Sequence, residues 1–147
     1  MNQLRGPHGL FVDDDQTLYI TDFANHRIVE WKAGATHGRV VAGESGLGSR
    51  ADQLNHPHDV IVDKVRDCFL IADSGNNRVL RWSLRGATSG ETIINEGVAT
   101  FLTMDEQGFL FVTNRLGHEV KRWLPGETPG TVVAGGNGIG SRLNQLN

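Results

Sequence analysis

The chain has 147 residues, of which 38% are hydrophobic and 21% charged, a balance typical of a folded domain rather than a disordered segment. Its formal net charge of −3 offers no basis for binding nucleic acid or an acidic membrane surface. No apolar run is long enough to span a bilayer, and no targeting segment is recognisable. We therefore expect a soluble protein of unknown localisation, and interpret the parent protein as extracellular.

The first predicted unit covers about residues 6–43 and contains four short strands. Apolar and polar residues alternate in each strand, which predicts antiparallel pairing around tight turns. Four strands within about 40 residues is the size of one β-propeller blade. The strands are predicted to end at Asp13 and to cover residues 18–21, 27–32 and 39–42, with a hairpin turn at residues 22–26.

The same pattern returns twice, in a second blade over about residues 57–95 and a third over about residues 98–135. Trp31, Trp82 and Trp123 close the third strand of each copy. The spacing of these tryptophans falls in the range of propeller blades, about 40–50 residues, rather than in that of helical repeats. The predicted fold class is all-β, a β-propeller with three four-stranded antiparallel blades per chain.

Two glycine-rich linkers follow the first and third blades, at residues 43–56 and 135–147. Their sequences are nearly the same, whereas the second blade leads almost directly into the third. We interpret each linker as an edge loop that holds the next blade in place. A functional role is the alternative for a loop of this length.

Three motifs, with φ for an apolar residue, carry a family resemblance. They are Pro-x-Gly-φ-x-Val-Asp at residues 7–13, φ-Tyr-φ-x-Asp at residues 18–22 and Asn-x-Arg-φ at residues 25–28. Together they resemble the NHL repeat of β-propellers. The resemblance covers the whole chain but is degraded in the third blade, where the motif residues Pro, His, Asp and Arg become Ala99, Thr100, Asn114 and Glu119. Propellers of this family commonly close with six blades, which implies that this chain supplies half a ring.

The predicted assembly follows from the incomplete ring. A repeat of this kind buries its apolar faces only against its neighbours, so three blades would leave two large apolar faces exposed. Two copies joined head to tail would complete a six-bladed ring with twofold symmetry. The linker at residues 135–147 also stops where residues 2–7 would continue it. We therefore interpret the chain as a half-propeller, an excised or engineered fragment whose partner is a second copy.

Two carboxylate–arginine pairs flank the hairpin turns of the first two blades. Asp22 and Arg27 flank the first turn, Asp73 and Arg78 flank the second, and both positions change together in the third blade. A carboxylate that accepts hydrogen bonds from its turn and from the arginine across the hairpin explains this joint change. The pairs are predicted to be structural clamps, and an anion or ligand site is the alternative.

His8 and His58 occupy the same position before the innermost strand, near the predicted mouth of the central channel. The simpler interpretation is a polar pore-mouth residue bonded to water. The alternative is a metal site for zinc or calcium, because imidazoles bind transition metals. The resemblance extends to the peptidylglycine amidating lyase, and this resemblance implies a zinc ion held by histidines. A catalytic zinc site needs three converging protein ligands, and the third blade offers only Thr100. No shared geometry is evident for His26, His37, His56 and His118.

No nucleophile elbow, phosphate-binding loop or metalloprotease motif is present. The acidic run at residues 13–15 lacks the later spacing of a calcium loop and is predicted to be a turn. The predicted function is a non-enzymatic scaffold or binding module without a cofactor. It would assemble with itself and hold a small molecule or protein at the channel mouth. The alternative is a metal-dependent lyase or hydrolase that acts through His8 and His58.

Overall fold

The structure is a computed structural model that describes residues 3–124, 126 and 128–146. Over these residues it contains twelve strands in three four-stranded sheets. The first sheet consists of β1 (Pro7–Val12), β2 (Leu18–Asp22), β3 (Arg27–Trp31) and β4 (Arg39–Ala42). The second consists of β5 (Pro57–Asp63), β6 (Cys68–Asp73), β7 (Arg78–Ser83) and β8 (Glu91–Ile94). The third consists of β9 (Ala99–Met104), β10 (Leu110–Asn114), β11 (Glu119–Trp123) and β12 (Thr131–Gly135).

Within each sheet the strands pair in chain order, each antiparallel to the next. The prediction of an all-β chain with three four-stranded antiparallel sheets is therefore confirmed. The first strand of the second sheet, β5, contacts both β1 and β9, so the first strands of the three sheets lie side by side. None of the helical turns that the structure describes is long and apolar enough to cross a membrane.

The hairpin turn between the second and third strands has a form that the sequence did not predict. It is a short 3₁₀ turn in the first two sheets, at Phe23–Asn25 and Ser74–Asn76. The next residue is left-handed, with φ of 56° at His26 and 55° at Asn77. The corresponding His118 of the third sheet has φ of 49°. Asn and His are among the non-glycine residues that adopt this conformation most readily.

Two apolar clusters fill the spaces between neighbouring sheets. The cluster between the first and second sheets includes Tyr19, Ile28, Val60, Leu80 and Trp82. The cluster between the second and third sheets includes Leu70, Val79, Leu102, Val112 and Trp123. The second sheet is therefore covered on both faces, and every strand of it contributes buried side chains.

The first and third sheets each have one face that no other sheet covers. We call them the leading face, which carries Leu10 and Val12 of the first sheet, and the trailing face, which carries Phe101 and Val120 of the third. Leu10 is 63% exposed, whereas Val60, at the same position of the second sheet, is 0% exposed. Phe101 is 54% exposed. The same strand positions are thus buried or exposed according to whether a neighbouring sheet is present.

Candidate functional site

His8 and His58 lie together at the seam between the first and second sheets. Their ring centroids are 4.7 Å apart and the rings are nearly perpendicular, at 80°. The contact arises because β1 and β5 run side by side. The buried hydroxyl of Thr21 joins the same two strands, because its Oγ1 accepts from the Gly9 N–H at 2.7 Å and donates to the His58 carbonyl at 3.1 Å. The structure therefore brings together the two histidines that the sequence paired.

Three more aromatic side chains complete this group. Phe23 stacks on His8, with centroids 4.4 Å apart, and lies 5.0 Å from His58 and 4.6 Å from His56. His26 packs edge-on against His56 at 4.4 Å, and its Nδ1 accepts from the His56 N–H at 3.1 Å. We refer to these five residues as the histidine cluster. The sequence offered no reason to include His26 and His56, whose contact spans 30 residues of chain.

Burial and neighbouring imidazoles hold part of the cluster neutral. Burial lowers the pKa of His26, and the nearby His56 lowers it further, while Asp73 opposes the shift. Burial also lowers the pKa of His58, followed by the effects of His8 and Arg115. The His58 Nδ1 atom is buried and has no hydrogen-bond partner in the part of the chain that the structure describes. Acid is therefore expected to charge a region that the fold keeps uncharged.

The melting temperature is expected to fall as the pH is lowered from about 7.5 to about 5. Because the folded pKa of His26 and His58 lies below the unfolded value of 6.5, the unfolded chain takes up protons first. The stabilisation is thus complete above the unfolded pKa and is lost as the pH falls through the folded pKa. Differential scanning fluorimetry across this range measures the slope.

The matched variant for this pH dependence combines His26→Asn with His58→Thr. It uses the residues found at the same positions of other sheets, Asn77 and Thr100. We expect a flatter pH profile in the variant. An unchanged slope would show that the cluster does not cause the pH dependence.

The donors at the cluster do not fit a three-ligand zinc site. Among the residues that the structure describes, no group of three or more His, Cys, Asp and Glu side chains could hold a metal ion. Thr100, which occupies in the third sheet the position of His8 and His58, donates its hydroxyl to the Val98 carbonyl at 3.4 Å.

The acidic run at residues 13–15 is a turn, in which Asp13 Oδ1 accepts from the N–H groups of Asp15 at 3.0 Å and Thr17 at 2.8 Å.

Asp73 lies at the centre of the second hairpin clamp and is fully buried. Its Oδ2 accepts from Arg78 Nε and from Asn76 Nδ2, each at 2.8 Å, and its Oδ1 accepts from the Asn55 N–H at 2.6 Å. One carboxylate thus joins the end of the linker, the turn and β7. Such charge-assisted bonds are stronger than neutral ones.

Arg78 continues this network into the linker. Its terminal nitrogens donate to the carbonyls of Ser49 at 2.8 Å, Gln53 at 2.9 Å and Arg50 at 3.0 Å. A planar guanidinium with five donors suits such a set of convergent acceptors. The linker is therefore bound to the second sheet through its main chain, which is consistent with the predicted edge loop.

The first sheet repeats the clamp with fewer partners. Asp22 Oδ2 accepts from Arg27 Nε at 2.7 Å, and Oδ1 accepts from the Arg5 N–H at 2.7 Å. Asn25 donates to the same carboxylate, as Asn76 does in the second sheet. Within the described part of the chain, the terminal nitrogens of Arg27 have one acceptor, the Gln3 carbonyl at 3.3 Å.

The third sheet replaces the ion pair by an amide and a carboxylate. Asn114 Nδ2 donates to Glu119 Oε1 at 2.8 Å, and Asn114 Oδ1 accepts from the N–H groups of Val98 and Gly117, both at 3.2 Å. The third sheet thus keeps a donor opposite an acceptor across the hairpin, but the donor is now on β10 and the acceptor on β11. That the clamps serve stability rather than ligand binding stays a prediction.

Comparisons with known proteins agree with this architecture. Residues 4–31 match the family model of the NHL repeat. Over 82 residues the chain is 34% identical to peptidyl-glycine alpha-amidating monooxygenase A of Xenopus laevis and 33% identical to its B form. The match covers 54% of this chain and 9% of each relative, so the chain spans about a tenth of their length.

The fold is similar to that of solved β-propellers. A virginiamycin B lyase from Staphylococcus aureus matches with a TM-score of 0.62 and 15% identity, over 90% of this chain and 41% of that one. A chain of a nidogen/laminin complex matches with a TM-score of 0.70 and 17% identity, over 88% of this chain and 48% of that one. At these identities the likeness concerns the fold alone.

Proposed function

We propose that this chain, which carries an NHL repeat over residues 4–31, is a propeller fragment that assembles head to tail with a second copy. The assembly is a closed homodimeric ring of six blades. Its trailing face packs on the leading face of the partner, and the same contact is made a second time to close the ring. The product is a non-enzymatic scaffold or binding module, with a small molecule or protein as its ligand at the channel mouth.

The observation that carries this proposal is the difference between equivalent side chains on covered and uncovered faces. Val60 is fully buried against the first sheet, but Leu10, which repeats it on the leading face, is largely exposed. On the other side Val79 is fully buried against the third sheet, and Val120, which repeats it on the trailing face, is half-buried. Soluble monomers rarely expose such contiguous apolar surface, and a neighbouring blade is the partner for which these positions are shaped.

Polar contacts between neighbouring sheets support the same pairing. Thr21 donates to the His58 carbonyl across the first seam, and Asp59 Oδ2 accepts from the Leu102 N–H at 2.9 Å across the second. Thr113 of the third sheet repeats Thr21. In the ring its hydroxyl would donate to the His8 carbonyl of the second copy, which repeats His58.

The experiment that tests the assembly is a mass in solution. A closed dimer should run in light scattering at twice the 16.1 kDa of one chain. The two interfaces together should bury more than about 1,600 Å², the usual size of a stable interface. Since folding and association are coupled, the melting temperature should rise with protein concentration. A folded 16.1 kDa monomer with a constant melting temperature would refute the ring, and a mass of three chains would refute the count of six blades.

A second candidate function is a metal-dependent lyase or hydrolase acting at the histidine cluster. The contact between His8 and His58, at 4.7 Å between ring centroids, favours it. The similarity to a peptidyl-glycine alpha-amidating monooxygenase also favours it. The donor set argues against it, since a catalytic zinc needs three converging protein ligands.

Zinc binding separates the two candidates. We expect no change in melting temperature on adding zinc or calcium, because a metal that binds only the native state would raise it by mass action. If zinc does raise the melting temperature, the His8→Ala, His58→Ala double variant should abolish the shift. A zinc shift that survives this double change would place the metal elsewhere in the molecule.

A further inference from the structure

We propose that the terminal loop, residues 136–146, of one copy binds the first sheet of a second copy, where it displaces residues 3–5 and receives the guanidinium of Arg27. This interaction rests on the proposed ring and names the contact that selects the partner. It makes the terminal loop a specific docking segment, and it makes residues 3–5 a placeholder on the first sheet wherever the terminal loop of another copy is not bound.

The linker loop, residues 43–55, shows how such a segment is built. A parallel bridge joins Leu47 to Leu54. The side chain of Gln53 holds the loop closed, because Nε2 donates to the Leu47 carbonyl at 3.2 Å and Oε1 accepts from the Arg50 N–H at 3.3 Å. The Gln53 N–H donates to the Arg50 carbonyl at 3.2 Å. The carbonyls of residues 48–51 accept hydrogen bonds from the second sheet.

The terminal loop has the same internal structure. A parallel bridge joins Ile139 to Leu146. Gln145 Oε1 accepts from the Arg142 N–H at 3.4 Å, its Nε2 donates to the Asn137 carbonyl at 3.2 Å, and its N–H donates to the Arg142 carbonyl at 2.9 Å. The loop is therefore held in shape by contacts among its own residues. In sequence, residues 2–5 correspond to residues 144–147, and Asn2 and Asn147 lie outside the described residues.

The two loops differ in what they bind. Arg78 of the second sheet donates to the carbonyls of Ser49 and Arg50 in the linker loop. Two more donors of the second sheet bind this loop, each at 2.8 Å: Asn76 Nδ2 donates to the Gly48 carbonyl, and the Gly90 N–H donates to the Ala51 carbonyl. In the terminal loop the corresponding carbonyls belong to residues 140–143. No described residue donates to those of Gly140, Ser141 or Leu143. Three carbonyl acceptors of the terminal loop are thus available for donors on another copy.

The first sheet holds the matching donors. Arg27 repeats Arg78, Asn25 repeats Asn76, and Gly38 repeats Gly90. Arg27 has one carbonyl acceptor, that of Gln3, where Arg78 has three, and the Gly38 N–H has no acceptor among the described residues. Donors and acceptors are therefore complementary between the first sheet of one copy and the terminal loop of another.

Residues 3–5 occupy only part of the docking place. The Arg5 N–H binds Asp22 as the Asn55 N–H binds Asp73, and the Arg5 carbonyl accepts from the Ala24 N–H at 3.0 Å as that of Asn55 accepts from Gly75 at 2.9 Å. Residues 3–5 include no counterpart to residues 48–51 of the linker loop. The folded terminal loop brings its own Gln145 and Leu146 to the places of Gln3 and Leu4. The two segments therefore compete, and the terminal loop offers the additional acceptors.

Four proteins test this competition by the dissociation constant of the dimer, measured by sedimentation velocity. They are the full chain, a chain in which Met is followed directly by Gly6, the Arg27→Lys variant and the Arg39→Lys variant. Removing residues 2–5 should tighten the dimer several-fold, because the placeholder no longer has to leave. Arg27→Lys should weaken it about tenfold or more, since an ammonium cannot span the same carbonyls. Arg39, on the same sheet but exposed and paired with Glu30, is the control and should leave affinity unchanged.

A second measurement reports on the contact itself. If the terminal loop docks as proposed, the Gly38 amide should become protected from hydrogen exchange as the protein concentration rises. A dimer that keeps its affinity in the Arg27→Lys and shortened chains, with Gly38 unprotected, would overturn the docking mode and leave the ring intact. A monomer at every concentration would overturn both.

Discussion

Replacing Val120 or Leu10 by Asp is expected to abolish the dimeric species in solution. Val120 lies on the trailing face and Leu10 on the leading face, so in the ring each carboxylate would be buried without a partner. An uncompensated buried charge costs about 3–5 kcal/mol, which corresponds to a loss of affinity of at least about a hundredfold per interface. The ring makes this interface twice, so both contacts are affected in every dimer.

Light scattering and far-ultraviolet circular dichroism together show the outcome. We expect unfolded or aggregated chain rather than a stable monomer, because the two apolar faces stay exposed without a partner. Val65→Asp is the matched control, since Val65 is 91% exposed in the turn after β5 and lies on neither face. If Val120→Asp and Leu10→Asp behave like this control, the two faces do not form the interface.

The Asp73→Ala substitution is expected to lower the free energy of unfolding by about 3–5 kcal/mol. Asp73 is fully buried, and its removal leaves the nearly buried guanidinium of Arg78 without a counter-charge. The Asn55 N–H would lose its acceptor as well. Urea titration at fixed protein concentration gives the difference, with concentration held constant because association contributes to stability.

Two other variants separate the clamp from a general effect of truncation. Asn114→Ala removes the corresponding amide of the third sheet and should cost about 1 kcal/mol, because the Glu119 carboxylate keeps Lys121 as its counter-charge at 3.6 Å. Asp14→Ala removes one member of the exposed pair with Lys64 and should have almost no effect. Equal losses for Asp73→Ala and Asn114→Ala would mean that the ion pair adds nothing to the hairpin.

The sequence determined the parts of this protein that depend on neighbours along the chain. Alternation of apolar residues marked the strands, and small and amide residues marked the hairpin turns. The pairing of Asp73 with Arg78 was also predictable, because a hairpin returns the chain directly and places these two residues opposite each other across its turn. Three copies of one pattern predicted three sheets. Each of these inferences needs only the geometry of a single hairpin.

Contacts between sheets were decided by the tertiary structure. His26 and His56 are 30 residues apart, and their contact depends on how closely the first and second sheets pack and on two residues with left-handed φ angles. The unused carbonyl acceptors of the terminal loop are likewise invisible in the sequence, since which main-chain groups find partners depends on the folded path of the chain rather than on residue identity. The sequence repeats show which residues of the three sheets are equivalent. Only the packed sheets show that equivalent residues such as Leu10 and Val60 have different surroundings, because burial depends on the neighbouring blade and not on the residue itself.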